Sequence, residues 1–338
     1  MKSPFTYMGA KSAVADTLAP ILAPMPGETF IDLMVGGGSV TFGKTPAHYT
    51  IINDFDPDVA GIFIVLKTNP KRLAAELKRL APARMTYDQI QRERFSRAWW
   101  ELTDVQRAAR MIYIFSCAVN GKPNSSFPAS TMTPLRFRPD RDLQPWAAAL
   151  RSVVIENLHY GELLRRYVRD QSKVRCLIYA DPPYVLAQAG RHYRHTFTAV
   201  DHVLLAYELT DISQRNGGDR RVRIAVSYDD DPDGFIRDLY RPEFGWRVGT
   251  LAVPYAGGNR ANVTNELLIT NFDPQPVPII SDPRSAGNWT DIPSDGLVVG
   301  GVPFTERDCC TKERFALMLH AKLRGRCRAC GSDVTVCI

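Results

Sequence analysis

FIDLMVGGGSVTFGKT, residues 30–45, admits two readings that lead to different folds. Its tail, residues 38–45, satisfies the phosphate-binding pattern G-x-x-x-x-G-K-[ST] of a nucleotide triphosphatase letter for letter. Its head, an apolar run opening into Gly36, Gly37 and Gly38, begins a nucleoside-cofactor fold equally well. A triphosphatase loop needs a helix launched from its Lys-Thr, because the amino-terminal N–H groups of that helix hold the phosphates. Here Thr45 is followed by Pro46, Ala47 and His48, and the next apolar run starts at once, so no crossover helix fits. A helix joining the two runs must start inside the glycines and end near Lys44. That makes the Lys-Thr match accidental.

Working outward, TFIDLMV (29–35) and YTIIN (49–53) read as buried parallel strands, as do CLIYA (176–180), RIAVSY (223–228) and NELLITNF (265–272). Strands alternating with helical segments predict an α/β fold. Asp54, just past the second strand, stands where an acid accepts hydrogen bonds from ribose hydroxyls, although NDFDPD is also rich in turn formers. Between the second and third of these runs lies a mainly helical segment. Leu73, Leu77 and Leu80 recur at helical spacing, and Thr103 with Gln106 forms a capping box ahead of VQRAARMIYIFSCAV. NGKPNSSFPASTMTP then reads as a long loop.

Charge is uneven. Residues 71–170 hold 18 Lys and Arg against 10 Asp and Glu, a net of +8, while the remaining 24 against 26 leave −2. That suits either a polyanion-binding module or a solvated helical surface. With 45% hydrophobic and 23% charged residues, the chain is composed as a globular protein. No apolar run approaches a membrane span, and the start lacks a signal-peptide core, so a cytoplasmic protein is expected. Five of seven cysteines crowd the last thirty residues, which is local chemistry and not a disulfide framework.

The chemistry is named by CLIYADPPYVL, residues 176–186. A buried strand delivers Asp181, Pro182, Pro183 and Tyr184 to its carboxyl end, where α/β sheets place ligands. These residues suit an exocyclic amine on an aromatic ring, whose lone pair is delocalised and poorly nucleophilic. Asp181 and the Pro182 carbonyl can accept its two N–H bonds and draw the nitrogen toward tetrahedral geometry. Pro182 keeps Asp181 extended. Tyr184 offers a face on which a flipped base stacks, a contact worth about 1–3 kcal/mol.

The order of these parts resembles the Dam-like N6-adenine DNA methyltransferases over residues 4–272. That resemblance implies an S-adenosylmethionine-dependent methyltransferase (Rossmann-like) fold with an inserted helical target-recognition domain. It implies a catalytic domain of residues 1–67 and 151–272 and an insert of residues 68–150. From Asp273 onward the sequence turns proline-rich and loses periodicity, which marks residues 273–338 as a proline-rich, cysteine-rich appendix. YMGAK resembles the family's first cofactor motif and brings Tyr7, Gly9 and Lys11 to the methionine end of the ligand. FIDLMVGGGSV resembles its F-x-G-x-G region, with Asp32, Gly36 and Gly38, although Met34 replaces the usual aromatic residue. INDFDPD makes Asp54 the ribose acid. NGKPNSSFP resembles a DNA-contacting loop, with Asn120 and Lys122 as candidates, and Arg191 and Arg194 in QAGRHYRHTF are candidates for phosphates.

The reaction implied is in-line transfer of the sulfonium methyl to N6 of a flipped adenine in double-stranded DNA, positioning being the main catalytic resource. Adenine in RNA, and a non-catalytic DNA-binding protein with this fold, are the alternatives. A monomer is expected, with a cognate restriction endonuclease as the one further partner the family suggests and no membrane association. His202 opens a helix after the DPPY motif, and Trp99 and Trp100 read as core aromatics. The transfer needs no metal. Cys327, Cys330 and Cys337 supply half a zinc site, which would have to recruit His320, Cys309 or Cys310, so no metal is assigned.

Overall fold

The computed structural model describes residues 3–9, 11, 14–128, 137–169, 175–183, 197–215, 221–229, 234–254, 263–274, 298–299 and 302–303. It divides into two units, Met1–Arg166 with Gln188–Thr196 and Tyr167–Ala187 with Phe197–Ile338. Both units combine helices with parallel strand pairs, so the α/β class read from the sequence holds.

In the first unit β1 (Thr29–Asp32), β2 (Tyr49–Asn53) and β3 (Val153–Glu156) run parallel in the order β3-β2-β1, with Ile31 opposite Ile51 and Ile51 opposite Val154. The sequence reading passed over β3. Only Val153 of its four residues is buried, so it carries neither the buried run nor the alternation that marks a strand.

Helices α1 (Ala15–Ile21), α2 (Ser39–Gly43), α3 (Pro57–Thr68), α4 (Pro70–Lys78), α5 (Arg84–Glu93), α6 (Ala98–Glu101), α7 (Asp104–Cys117), α8 (Gln144–Ala149) and α9 (Tyr160–Leu164) complete the described part of this unit. The Asp56 side chain caps α3 by accepting from the Asp58 N–H at 2.9 Å, with Pro57 at the first helical position. The capping box of Thr103 and Gln106 starts α7 as its sequence requires. α7 packs on α3, α4 and α5, and buries Met111, Tyr113 and Phe115 in one core with Phe63, Leu73, Leu77 and Trp99.

The described part of the second unit contains β4 (Cys176–Ala180), α10 (Ala199–Arg215), β5 (Val222–Asp229), α11 (Phe235–Leu239), β6 (Arg247–Pro254) and β7 (Val263–Thr270). β4 and β5 are parallel, β7 lies antiparallel between β5 and β6, and the order is β4-β5-β7-β6. All five residues of β4 are buried, as expected of a parallel strand covered on both faces. β6 was also missed, because Gly249 and the closing Pro254 mask its pattern. A short antiparallel pair joins β8 (Val298–Val299) to β9 (Val302–Pro303). The terminal cysteines lie outside the described residues.

Candidate functional sites

The glycine loop settles the first question. α2 begins at Ser39, capped by Gly38 in the left-handed region (φ 71°), and ends at Gly43, so Lys44 and Thr45 leave the helix and do not launch it. Lys44 is buried, with Nζ 3.8 Å from the centre of the Phe30 ring and donating to the Thr45 carbonyl at 3.1 Å. Burial pulls its pKa down to about 8 against the opposing pull of the Asp32 carboxylate. An ammonium committed in this way is not the free cation that a triphosphate site requires.

Three segments of the first unit meet around Gly36 and Gly37. A Cβ on Gly36 (φ 48°) would lie 2.8 Å from Cε1 of Tyr7, and one on Gly37 would lie 2.8 Å from the Tyr7 Cβ. The glycines are therefore required by the Tyr7 side chain resting on them. Tyr7 is held in turn by Phe115 of α7, ring centres 5.1 Å apart, while Phe5 stacks on the same ring. Asp54 closes the third side. Its Oδ2 accepts the Gly36 N–H at 3.0 Å and its Oδ1 the Asp56 N–H at 2.9 Å.

Two amide bonds leave lone pairs on the Asp54 carboxylate, which has about four acceptor sites. Burial pushes its pKa up to about 7, and the neighbouring Asp56 carboxylate adds to this, while the two amide donors and the Asp32 charge act as lesser, opposed influences. Asp32 itself is buried and accepts from the Thr41 hydroxyl at 2.6 Å, tying β1 to α2. Gly9 has a left-handed φ of 72°, and Lys11 is buried.

Residues that the sequence reading did not single out complete this corner. Asn53 is buried and donates to the Leu33 and Leu158 carbonyls at 2.9 and 3.0 Å, fastening the loop after β3 to the β1 exit. Phe55 follows Asp54, is half exposed, and meets His159 edge-on at 5.8 Å. Phe55 was visible in INDFDPD, but Asp54 was the one ligand residue read there.

The loop carrying Asn120 and Lys122 is also held in place. Val119–Gly121 forms a 3₁₀ turn, and a Cβ on Gly121 (φ 71°) would lie 3.1 Å from the Tyr7 and Met8 backbone. Tyr87 donates to the Ser125 carbonyl at 2.7 Å, Arg94 donates to the Pro123 carbonyl at 3.0 Å, and Gln91 also donates to Pro123. Lys122 is half-buried, and the Asn120 side chain lies outside the described residues.

In the second unit Asp181, Pro182 and Pro183 follow directly on β4, with Asp181 half-buried and Pro182 buried. Tyr184, Arg191 and Arg194 lie outside the described residues. His202, at the start of α10, is buried with Nδ1 3.0 Å from the Tyr228 hydroxyl, and burial pulls its pKa down to about 4. A neutral imidazole in the packing of α10 is its role here. Of the tryptophan pair, Trp99 is fully buried and donates Nε1–H to Asp58 at 3.0 Å, but Trp100 is 52% exposed, contrary to the core reading of both. Among the described residues no cluster of three or more metal-ligating side chains occurs.

Residues 7–243 match the family described as D12 class N6 adenine-specific DNA methyltransferase. Two Vibrio cholerae serotype O1 proteins, from the Classical Ogawa 395 and El Tor Inaba N16961 strains, are each named DNA adenine methylase. Each is 24% identical over 223 residues, which cover 62% of this chain and 75% of the relative.

Proposed function

Since the chain belongs to the D12 class of N6 adenine-specific DNA methyltransferases, we propose that its methyl donor is S-adenosylmethionine and that the residues around Gly36 hold it. The reaction is transfer of a methyl group to N6 of adenine in DNA. The observation that carries the donor assignment is Tyr7 lying on two glycines whose loop is fastened to a carboxylate with acceptor sites to spare. Such a cradle suits a nucleoside ligand: glycines admit close approach, Asp54 receives ribose hydroxyls, and the exposed Phe55 ring offers an apolar face for a purine. Bound there, the donor would supply an electrophilic methyl carbon on a sulfonium. Tyr7, Gly9 and Lys11 are assigned to its methionine end, and Asp32 and Gly38 to the shape of the loop.

Asp181 and the Pro182 carbonyl accept the two N–H bonds of the target amine, Pro182 and Pro183 stiffen the turn, and Tyr184 stacks on the base. Asn120 and Lys122 contact DNA from a loop braced by Tyr87, Gln91 and Arg94, which supports reading residues 68–150 as the recognition segment. Arg191 and Arg194 are assigned to phosphates. Among the described residues no helix is long and apolar enough to cross a membrane. A lone chain acting in the cytoplasm on duplex DNA is the simplest form of this reading, with a cognate restriction endonuclease as the one protein partner it would imply.

The direct test is transfer of labelled methyl from S-adenosylmethionine to unmethylated duplex DNA, followed by nucleoside analysis. Label in N6-methyl-2′-deoxyadenosine is expected. Label found only on RNA would overturn the substrate, and none on either the enzyme reading.

Asp54 gives donor binding a pH dependence of defined sign. Ribose hydroxyls donate to the carboxylate, not to the acid, so affinity should rise as pH passes upward through about 7. The stability linkage has the opposite sign. A carboxyl raised from 3.8 in the unfolded chain to about 7 contributes fully below the lower value and loses that contribution as pH rises through the upper one. Calorimetric titration of the donor between pH 6 and 8 should show tighter binding at the alkaline end in the native protein and a flat profile in Asp54→Asn. A flat native profile would remove Asp54 from the ligand.

A further inference from the structure

Ala180 of β4 and Val226 of β5 are register partners across the parallel pair, so the next residues, Asp181 and Ser227, leave the paired region side by side. Side chains alternate along a strand, which puts Tyr179 and Asp181 on one face. Ser227 shares that face with Ala225, the partner of Tyr179. A contact fixes the assignment: the Tyr179 and Ser227 hydroxyls lie 2.8 Å apart, and both residues are buried. Tyr228, one residue on, turns to the opposite face and meets His202 of α10. The carboxylate and two hydroxyls thus gather on one face at the end of β4.

Two hydroxyls that share one hydrogen bond keep one O–H proton for a further acceptor. At this level of the sheet the neighbouring position on β4 belongs to a carboxylate. We propose that Tyr179 and Ser227 form a buried donor chain that positions Asp181, with Tyr179 donating to Ser227 and Ser227 donating to one Asp181 oxygen. The inference rests on the reading of Asp181 as acceptor for the adenine amine. A hydrogen bond to an ionised carboxylate is among the stronger ones, and a second donor behind the first strengthens it further. One oxygen held in this way leaves the other aimed at the amine. Neither hydroxyl touches the substrate; both act through Asp181 and are positioning residues.

Ser227→Ala and Tyr179→Phe each delete little more than the hydroxyl. Ser227→Ala should lower kcat about tenfold, and Tyr179→Phe about threefold, since it removes only the rear donor. KM for S-adenosylmethionine and for DNA should stay at the native values in both. A pair that merely staples β4 to β5 would lower the melting temperature and leave kcat alone, and native kcat in both variants overturns the proposal. So does a loss confined to KM. Asp181→Ala measured alongside separates the two levels. If it is inactive while Ser227→Ala turns over at the native rate, the donor chain fails alone; if it is active, the reading of Asp181 fails and the chain with it.

Discussion

Asp181→Ala is expected to lower kcat for methyl transfer by about 10²–10⁴-fold while leaving S-adenosylmethionine affinity within a factor of about two of the native value. The adenine amine loses its main acceptor, its lone pair stays in the ring, and the nitrogen attacks poorly. The fold should not suffer. Asp181 is half-buried and lies beyond the last paired residue of β4, while the buried CLIYA run and its register with β5 are untouched. Asp181→Asn keeps one carbonyl acceptor but turns an NH₂ donor toward the amine, so an intermediate loss is expected. Single-turnover transfer of labelled methyl to DNA, read as N6-methyl-2′-deoxyadenosine, measures both. Retention of more than a tenth of native kcat in the alanine variant would remove Asp181 from the chemistry and shift the amine-holding role to the Pro182 carbonyl.

Much of this arrangement was legible in the sequence because it is local. The start of α2 inside the glycines followed from the lack of room after Thr45. The cap of α7 followed from Thr103 and Gln106, and β4 from five consecutive apolar or aromatic residues. What escaped is non-local. Nothing near residue 36 announces that Tyr7 will lie on its glycine, nor that Asn53 will bond a carbonyl 105 residues away. Asp54 was named for a ligand, but its hold on the Gly36 amide, which makes it a support of the loop as well, needs the structure.

The basic middle segment illustrates the other limit. Charge counting left a polyanion module and a solvated surface open, and the structure spends several of those arginines on acids: Arg79 on Glu76, Arg97 on Glu101, Arg107 on Asp104, Arg110 on Glu93, and Arg166 on Glu156 and Glu162. Exposed and half-buried pairs of this kind contribute about 0–1 kcal/mol each, so they do little for stability, but they reduce the field the segment presents to DNA. A recognition role for this region therefore rests on the braced 119–125 loop more than on net charge.

The Trp99-Trp100 dipeptide gives a large expected stability contrast between adjacent residues. Helical geometry turns consecutive side chains about 100° apart, so α6 sends Trp99 into the core and leaves Trp100 beside Arg107, whose guanidinium lies 5.3 Å from the ring centre. Trp99→Ala should cost about 3–5 kcal/mol through the cavity alone, and it also takes the indole donor from the buried Asp58 at the start of α3. Because α3 follows directly on the Asp54–Asp56 turn, part of that loss should surface as weaker donor binding at temperatures where the protein is still folded. Trp100→Ala should cost about 0.5–1 kcal/mol, the worth of an exposed cation–π pair. Equilibrium denaturation of the two variants, with donor titration below the transition, separates them. Equal costs would mean that α6 is not anchored through Trp99, and unchanged donor affinity in Trp99→Ala would mean that the core under α3 does not support the Asp54 turn.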